Sequence, residues 1–254
     1  MRWIQSFLVA VSTYSALPMP QFGWNRQNMK YAICFFPAVG ILLGGALWGW
    51  YRLGLAADMG GVLFAAVSVG LPVFLTGGIH MDGFMDTVDA LASHQPREKK
   101  LEILKDPHCG AFAVLYCGVY LLLDFGLFYA LFAAAEVAAC CPVFVLSRGL
   151  SALCALTMPS ARKAGMLGAF TQDAPQKGAA AAMALLSLAA ALGMLWLSPV
   201  PGGCGVVFAL FAMLAYRSMA KRQFGGATGD TAGFFLQTCE LAALAGIWIG
   251  GKLG

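Results

Sequence analysis

The sequence predicts an all-α protein: a polytopic integral membrane helical bundle with about seven spans, preceded by an amphipathic or half-buried N-terminal helix. The 254 residues are 60% hydrophobic and only 11% charged, with a mean hydropathy of +0.75, far more apolar than soluble domains. The apolar residues also fall in runs long enough to cross a bilayer core of roughly 30 Å. No long polar linker separates these runs, so residues 1–254 are predicted to form a single membrane-embedded domain.

The N-terminal segment from Arg2 to Ala16 is the first predicted element. Polar residues interrupt its short apolar run and no small-residue cleavage site follows, so it is predicted to be an amphipathic or half-buried helix rather than a signal peptide. Seven longer apolar runs are the predicted spans: 31–52, 60–77, 111–135, 137–158, 179–198, 204–220 and 233–250.

Positive charges occur in every second connection between these spans and predict the orientation of the bundle. The cations in these connections are Arg26, Lys30, Arg97, Lys99, Lys100, Lys105, Arg162, Lys163, Lys177, Lys221 and Arg222. Because cytoplasmic loops of membrane proteins are enriched in Lys and Arg, these connections are predicted to face the cytoplasm from a cytoplasmic (inner) membrane. The net charge of +4 follows from this topology and gives no reason to expect a nucleic acid partner.

Three aspartates form the most informative motif. Half of the twelve acidic residues lie between Gly77 and Ala113, and Asp82, Asp86 and Asp89 occur at positions i, i+4 and i+7. On a helix this spacing places the three carboxylates within about 60° of one face, where like charges repel each other. Mg²⁺ binds carboxylate oxygens and shares its remaining coordination with water and phosphates, so the motif predicts a magnesium and phosphate site. The alternative is a solvated helix end outside the membrane.

Other polar residues near the predicted cytoplasmic side are candidates for the same site. His80 precedes the aspartates and is either a proton acceptor, a phosphate contact or an ordinary interfacial residue. Asp106 either completes the metal shell or caps the next helix, and Lys105 beside it is a candidate phosphate contact.

Two further features lie elsewhere in the chain. A glycine-rich loop precedes the last span and is predicted to hold a nucleotide or diphosphate against a helix N-terminus; it runs through Gly225, Gly226, Ala227, Thr228, Gly229, Asp230 and Thr231. Arg148 lies inside the fourth span and needs an anionic partner, either a substrate phosphate or a carboxylate. Asp124 and Glu240 are candidates for structural pairing with it.

The motifs resemble those of the cobalamin synthase family, the adenosylcobinamide-GDP ribazoletransferases. The main block runs from Gly77 to Asp89 as GGIHMDGFMDTVD and continues with Arg97, with Leu101 to Asp106 and with Gly110. The other blocks are LPMP at 17–20, FPAVG at 36–40, SRG at 147–149 and GGATGDT at 225–231, in family order over nearly the whole chain.

This resemblance implies Mg²⁺-dependent transfer of the adenosylcobinamide-phosphate moiety of adenosylcobinamide-GDP to α-ribazole or its 5′-phosphate, with release of GMP, at the lipid bilayer. The predicted metal ligands are Asp82, Asp86, Asp89 and Asp106, and one of these carboxylates or His80 is predicted to accept the proton of the attacking hydroxyl. The residues predicted to bind the substrate are Lys105, Arg148, Lys221, Arg222, Gly225, Gly226, Thr228, Gly229 and Asp230. The sequence leaves open whether the chain forms a homo-oligomer.

Two other functions are compatible with parts of the sequence. The D-G-x-x-D-x-x-D spacing is similar to that of CDP-alcohol phosphotransferases, so a lipid head-group transferase is the nearest enzymatic alternative. An ion-coupled transporter would instead use the intramembrane residues Asp124, Arg148 and Glu240. Such a protein would concentrate its charge deep in the bundle, whereas this chain concentrates its charge in the predicted cytoplasmic connections.

Overall fold

The protein is a bundle of helices in the computed structural model, which describes residues 2–20, 29, 31–162, 165–171 and 174–253. A 3₁₀ turn at Ala32–Phe35 precedes the second helix. The helices are α1 (Arg2–Tyr14), α2 (Phe36–Ala56), α3 (Gly61–Thr76), α4 (Ile79–Ala92), α5 (Arg97–Ile103), α6 (Ala111–Ala133), α7 (Val137–Cys140), α8 (Val143–Thr157), α9 (Met166–Thr171), α10 (Gln176–Leu197), α11 (Pro199–Gln223) and α12 (Gly229–Gly250). The described residues contain no β-strand, which confirms the all-α prediction.

Within the described residues, six helical segments are long and apolar enough to cross a membrane, and the bent pair of α3 and α4 raises the number to seven when it is counted as one span. This agrees with the seven spans predicted from the sequence. Of the cations that predict the orientation, Arg26, Lys30 and Lys163 lie outside the described residues. Helix α1 is half-buried as predicted, because Val9 and Ala10 pack inside the protein while Trp3 is exposed.

The connection between α3 and α4 bends the chain by 95°. It consists of Gly77 and Gly78, with φ angles of +66° and +77°. A residue with a Cβ atom adopts this left-handed conformation at a cost of about 1–2 kcal/mol. Two successive glycines form the turn without that cost. The bend directs α4, which carries the three aspartates, along the first half of α12.

Glycines also allow the helices around α8 to pack closely. A Cβ atom on Gly40 of α2 would overlap the Phe144 carbonyl of α8, and one on Gly149 of α8 would overlap the Ser187 hydroxyl of α10. Small residues at helix contacts are typical of membrane bundles, where packing and hydrogen bonds hold helices together in place of the hydrophobic effect. Helix α8 therefore lies in the middle of the bundle, with most of its residues buried.

Candidate active site

Helices α4 and α12 cross at two glycines, and this crossing brings acidic residues from distant parts of the sequence together. A Cβ atom on Gly83 would lie 2.8 Å from the Asp230 carbonyl oxygen, and one on Gly233 would lie 2.9 Å from the His80 carbonyl oxygen. Only glycine at both positions permits this backbone approach. As a result, Asp82 of α4 and Asp230 of α12 line the same cavity.

This cavity has a volume of about 210 Å³. Its charged lining consists of Asp82, Asp230 and Arg162, and Ser160 and His80 add polar atoms. The remaining wall comes from α1, α2, α8, α9 and α12 and is mostly apolar. We call this space the main cavity.

Arg162 supplies the positive charge beside these carboxylates. Its Nη1 lies 3.6 Å from Oδ2 of Asp230, and its Nη2 donates a 2.6 Å hydrogen bond to the Leu101 carbonyl. Its Nε is buried without a hydrogen-bond partner among the described residues. One donor of the guanidinium therefore has no acceptor among the described residues.

Negative charge exceeds positive charge at the main cavity. Asp86 is not part of the cavity lining, but its carboxylate is repelled by those of Asp82, Asp230 and Asp89, and Arg162 is the counter-charge among its neighbours. No hydrogen bond or ion pair within the described part of the chain satisfies the carboxylates of Asp82 and Asp86. These free carboxylates are a donor set that suits a hard cation such as Mg²⁺.

The arrangement does not enclose a metal ion on all sides. In the described ranges, no three His, Cys, Asp or Glu side chains are placed to hold one ion together. Mg²⁺ usually takes one or two carboxylates and completes its octahedron with water and substrate phosphates. The residues present therefore suit a cation that binds together with a substrate phosphate. They suit less well a cation that protein side chains alone would hold permanently.

Asp89 has a structural role that the sequence did not indicate. Its Oδ2 accepts a 2.6 Å hydrogen bond from the Gly110 amide, and its Oδ1 accepts a 2.8 Å bond from the Ala113 amide. These amides belong to the N-terminal turn of α6, which has no side-chain cap of its own. Asp89 thus satisfies two donors that the helix leaves open and ties α4 to α6.

Substitution of Asp89 is expected to separate this structural role from metal binding. Asp89→Ala removes both acceptors and is expected to lower the stability of the folded protein by about 1–3 kcal/mol. Asp89→Asn keeps one oxygen acceptor and should lose less. Thermal melting in detergent measures the difference, and a variant Asp89→Asn that melts like the wild type but has no transfer activity would instead identify Asp89 as a metal ligand.

His80 lies at the inner end of the main cavity. It is 6% exposed, and its ring lies 6.2 Å from that of Tyr14 at 14° and 5.7 Å from that of Phe36 at 49°. Its Nε2 is buried with no hydrogen-bond partner among the described residues. His80 is therefore an aromatic wall residue that has an unused polar atom.

The glycine-rich loop divides into a packing part and a part that faces the cavity. Gly225, at φ +78°, packs against the Arg97 guanidinium, and Gly226 packs against the Pro159 carbonyl. The capping box of Thr228 and Thr231 then starts α12. Thr228, Gly229 and Asp230 line the main cavity, and the first-turn amides of α12 have no acceptor within the helix. This turn, rather than Gly225 or Gly226, faces the cavity.

Four further predicted residues lie outside the cavity lining and are exposed on the surface. Lys105, Asp106, Lys221 and Arg222 are exposed on connections or on the last turn of α11. Oδ1 of Asp106 accepts a 3.0 Å hydrogen bond from the His108 amide and lies 2.6 Å from its Nδ1. Hydrogen bonding from His108 lowers the pKa of Asp106.

Arg148 pairs with Glu240 inside the bundle. Nη1 of Arg148 lies 2.7 Å from Oε1 of Glu240, which also accepts a 2.7 Å bond from Ser147. Both side chains line a second, deeper cavity of about 20 Å³, together with the buried Asp124. Of the two partners that the sequence left open for Arg148, the structure therefore provides a carboxylate.

Sequence reasoning missed Arg162 as a site residue. It was counted only as a loop cation, and nothing near it in the sequence indicates a partner. The structure brings it to the cavity through the pairing of residues 159–161 with Ala227, which joins the end of α8 to the glycine-rich loop.

A helical membrane bundle with free carboxylates, an arginine and a helix N-terminus at one cavity is typical of membrane enzymes that transfer phosphate-containing groups. The chain belongs to the cobalamin-5-phosphate synthase family, whose sequence model matches residues 6–248. It is accordingly a transferase of cobalamin biosynthesis, as the family resemblance predicted.

Known relatives cover almost the whole chain. The adenosylcobinamide-GDP ribazoletransferase of Lachnoclostridium phytofermentans is 40% identical over 96% of this chain and 93% of its own length. The proteins of the same name from Desulfitobacterium hafniense and Pseudomonas fluorescens are 33% and 32% identical; they align with 94% and 95% of this chain and with 94% and 98% of their own lengths. No solved structure matches the chain.

Proposed function

We propose that this protein transfers the adenosylcobinamide-phosphate moiety of adenosylcobinamide-GDP to α-ribazole or α-ribazole 5′-phosphate and releases GMP. The observation that carries the proposal is the meeting of Asp82, Asp230 and Arg162 at the N-terminus of α12. The names of the relatives supply the substrates.

The chemistry is a displacement at phosphorus. A ribose hydroxyl oxygen forms a bond to the cobinamide-side phosphorus, and the bond from that phosphorus to the bridging oxygen of the diphosphate breaks. The bridging oxygen and its electron pair leave with GMP. The hydroxyl proton passes to a carboxylate oxygen of Asp82 or Asp86 that the metal ion leaves free; neither side chain has a hydrogen-bond partner among the described residues.

The remaining residues stabilise the diphosphate. We assign the metal ion to Asp82 and Asp86, with Asp230 across the cavity; when bound, Mg²⁺ would neutralise charge on the diphosphate oxygens. The free Nε of Arg162 and the first-turn amides of α12 are donors for phosphate oxygens. Asp89 and Asp106 have hydrogen-bond partners of their own and receive no catalytic role in this proposal.

We also place this cavity on the cytoplasmic side of the inner membrane. The exposed Lys99, Lys105, Lys221 and Arg222 lie between the predicted spans, in segments predicted to face the cytoplasm, and agree with the positive-inside rule. The orientation can be measured by replacing the native cysteines, which include the exposed Cys109, and labelling single cysteines introduced at Lys105 and at Asp58 in intact cells and in inverted vesicles.

The activity is tested directly with purified protein. Protein in detergent, given Mg²⁺, adenosylcobinamide-GDP and α-ribazole, is expected to release GMP and to form a product that contains both cobinamide and ribazole. EDTA should stop the release and added Mg²⁺ should restore it. CDP-diacylglycerol with an alcohol acceptor, the substrates of the rival class, should release no CMP. Absence of GMP release under conditions where the protein is folded would refute the proposal.

A further inference from the structure

We propose that the apolar half of the main cavity is the binding site for the aromatic base of the acceptor, and that the guanine of the donor binds elsewhere. This inference rests on the proposed function, because the acceptor is a ribazole only if the chain catalyses that transfer. Two aromatic bases compete for any such pocket: the benzimidazole of α-ribazole and the guanine of adenosylcobinamide-GDP. The lining of the cavity distinguishes between them.

The lining of the main cavity contains two chemically different sets of residues, which we call its charged half and its apolar half. Its charged half contains Asp82, Arg162 and Asp230, where the reacting phosphorus is proposed to lie. Its other half is formed by the apolar side chains of Tyr14, Ile33, Phe36, Ala152, Ala155 and Leu236. A ligand with an apolar ring at one end and a ribose at the other would place the ribose hydroxyl next to the carboxylates.

The side chains of the apolar half suit the binding of a flat aromatic ring. Tyr14 and Phe36 have ring centroids 4.4 Å apart, and Tyr14 also lies 5.4 Å from Phe170 and nearly parallel to His80. Aromatic side chains favour offset or edge contacts with a further aromatic ring. The small side chains of Ala152 and Ala155 on α8 leave the space for such a ring.

The hydrogen-bonding groups favour benzimidazole over guanine. Guanine carries the N7 and O6 acceptors and the N2 amino donor, and each costs free energy if it is buried without a partner. A benzimidazole riboside carries one acceptor nitrogen and no donor on its ring. The apolar half offers Nε2 of His80, which is buried without a partner among the described residues and donates one hydrogen bond in the neutral tautomer that carries the proton on Nε2, together with the hydroxyls of Ser151 and Tyr14. These groups can pair with the single acceptor nitrogen of benzimidazole. They are too few to pair with all the hydrogen-bonding groups of guanine.

The proposal is tested by filling the apolar half without touching the charged half. Ala155→Leu is expected to raise the KM for α-ribazole at least tenfold, to leave the KM for adenosylcobinamide-GDP within twofold and to keep the melting temperature. The matched control is Ala184→Leu on the exposed face of α10, which should change neither KM. A rise in the KM for adenosylcobinamide-GDP alone, or no change in either KM, would overturn the assignment.

A second measurement on the wild-type protein does not depend on a variant folding. Free benzimidazole is expected to inhibit competitively against α-ribazole and not against adenosylcobinamide-GDP. Competition against adenosylcobinamide-GDP alone, or no inhibition up to the solubility limit, would contradict the assignment. Failure of the proposed function has a different signature, because the wild-type protein would then release no GMP with any acceptor.

Discussion

Replacing Asp82 or Asp86 by Asn is expected to lower the rate of transfer by about 10³-fold or more while the protein still inserts and folds. The substitution keeps the size of the side chain but removes the negative charge that would hold Mg²⁺. Loss of a single group that stabilises developing charge typically costs 10²–10³-fold in rate, and loss of a metal position should cost at least as much. Asp82 and Asp86 have no hydrogen-bond partner in the described part of the protein, so the Asn variants break no hydrogen bond there.

The measurement is GMP release at saturating substrates over a range of Mg²⁺ concentrations. Asp106→Asn is the matched control, because Asp106 is exposed and contacts His108 rather than the main cavity. It should retain activity close to that of the wild type. Near-normal turnover by both Asp82→Asn and Asp86→Asn would refute their assignment as metal ligands. Loss of activity in Asp106→Asn would indicate that Asp106 belongs to the active site.

The largest effect on stability is expected from breaking the buried pair of Arg148 and Glu240. Arg148→Met leaves the Glu240 carboxylate without its cation in the middle of the bundle, close to the buried Asp124. Removing one partner of a buried pair typically costs about 3–5 kcal/mol. For a chain of this size such a loss corresponds to a fall of roughly 10 °C in melting temperature.

The double variant Arg148→Met with Glu240→Leu is the informative comparison. Replacing both charges by apolar side chains removes the unpaired charge as well as the pair, so the melting temperature should recover much of the loss. Melting followed by tryptophan fluorescence in detergent measures both variants. If Arg148→Met melts like the wild type and loses only its affinity for adenosylcobinamide-GDP, Arg148 binds a substrate phosphate and the pair with Glu240 is of minor importance.

The sequence was sufficient to predict the parts of this protein that depend on local patterns. Long apolar runs predict the spans because the bilayer requires about 20 apolar residues per helix whatever the neighbouring helices are. Spacing along one helix predicts that Asp82, Asp86 and Asp89 share a face, because helical periodicity is the same in every context. The sequence also predicts that Arg148 needs an anionic partner, because an unpaired charge inside a membrane costs free energy whatever the neighbouring helices are.

The tertiary structure decided how these residues are used. Asp89 accepts hydrogen bonds from amides more than twenty residues later, whereas Asp82 shares its cavity with Asp230 and Arg162 from the far half of the chain. The sequence determined by itself that this is an α-helical membrane protein with an acidic helix face. Only the packing of α4 against α6 and α12 decided which carboxylates remain free for chemistry, because such partners are set by contacts between distant segments that no local periodicity records.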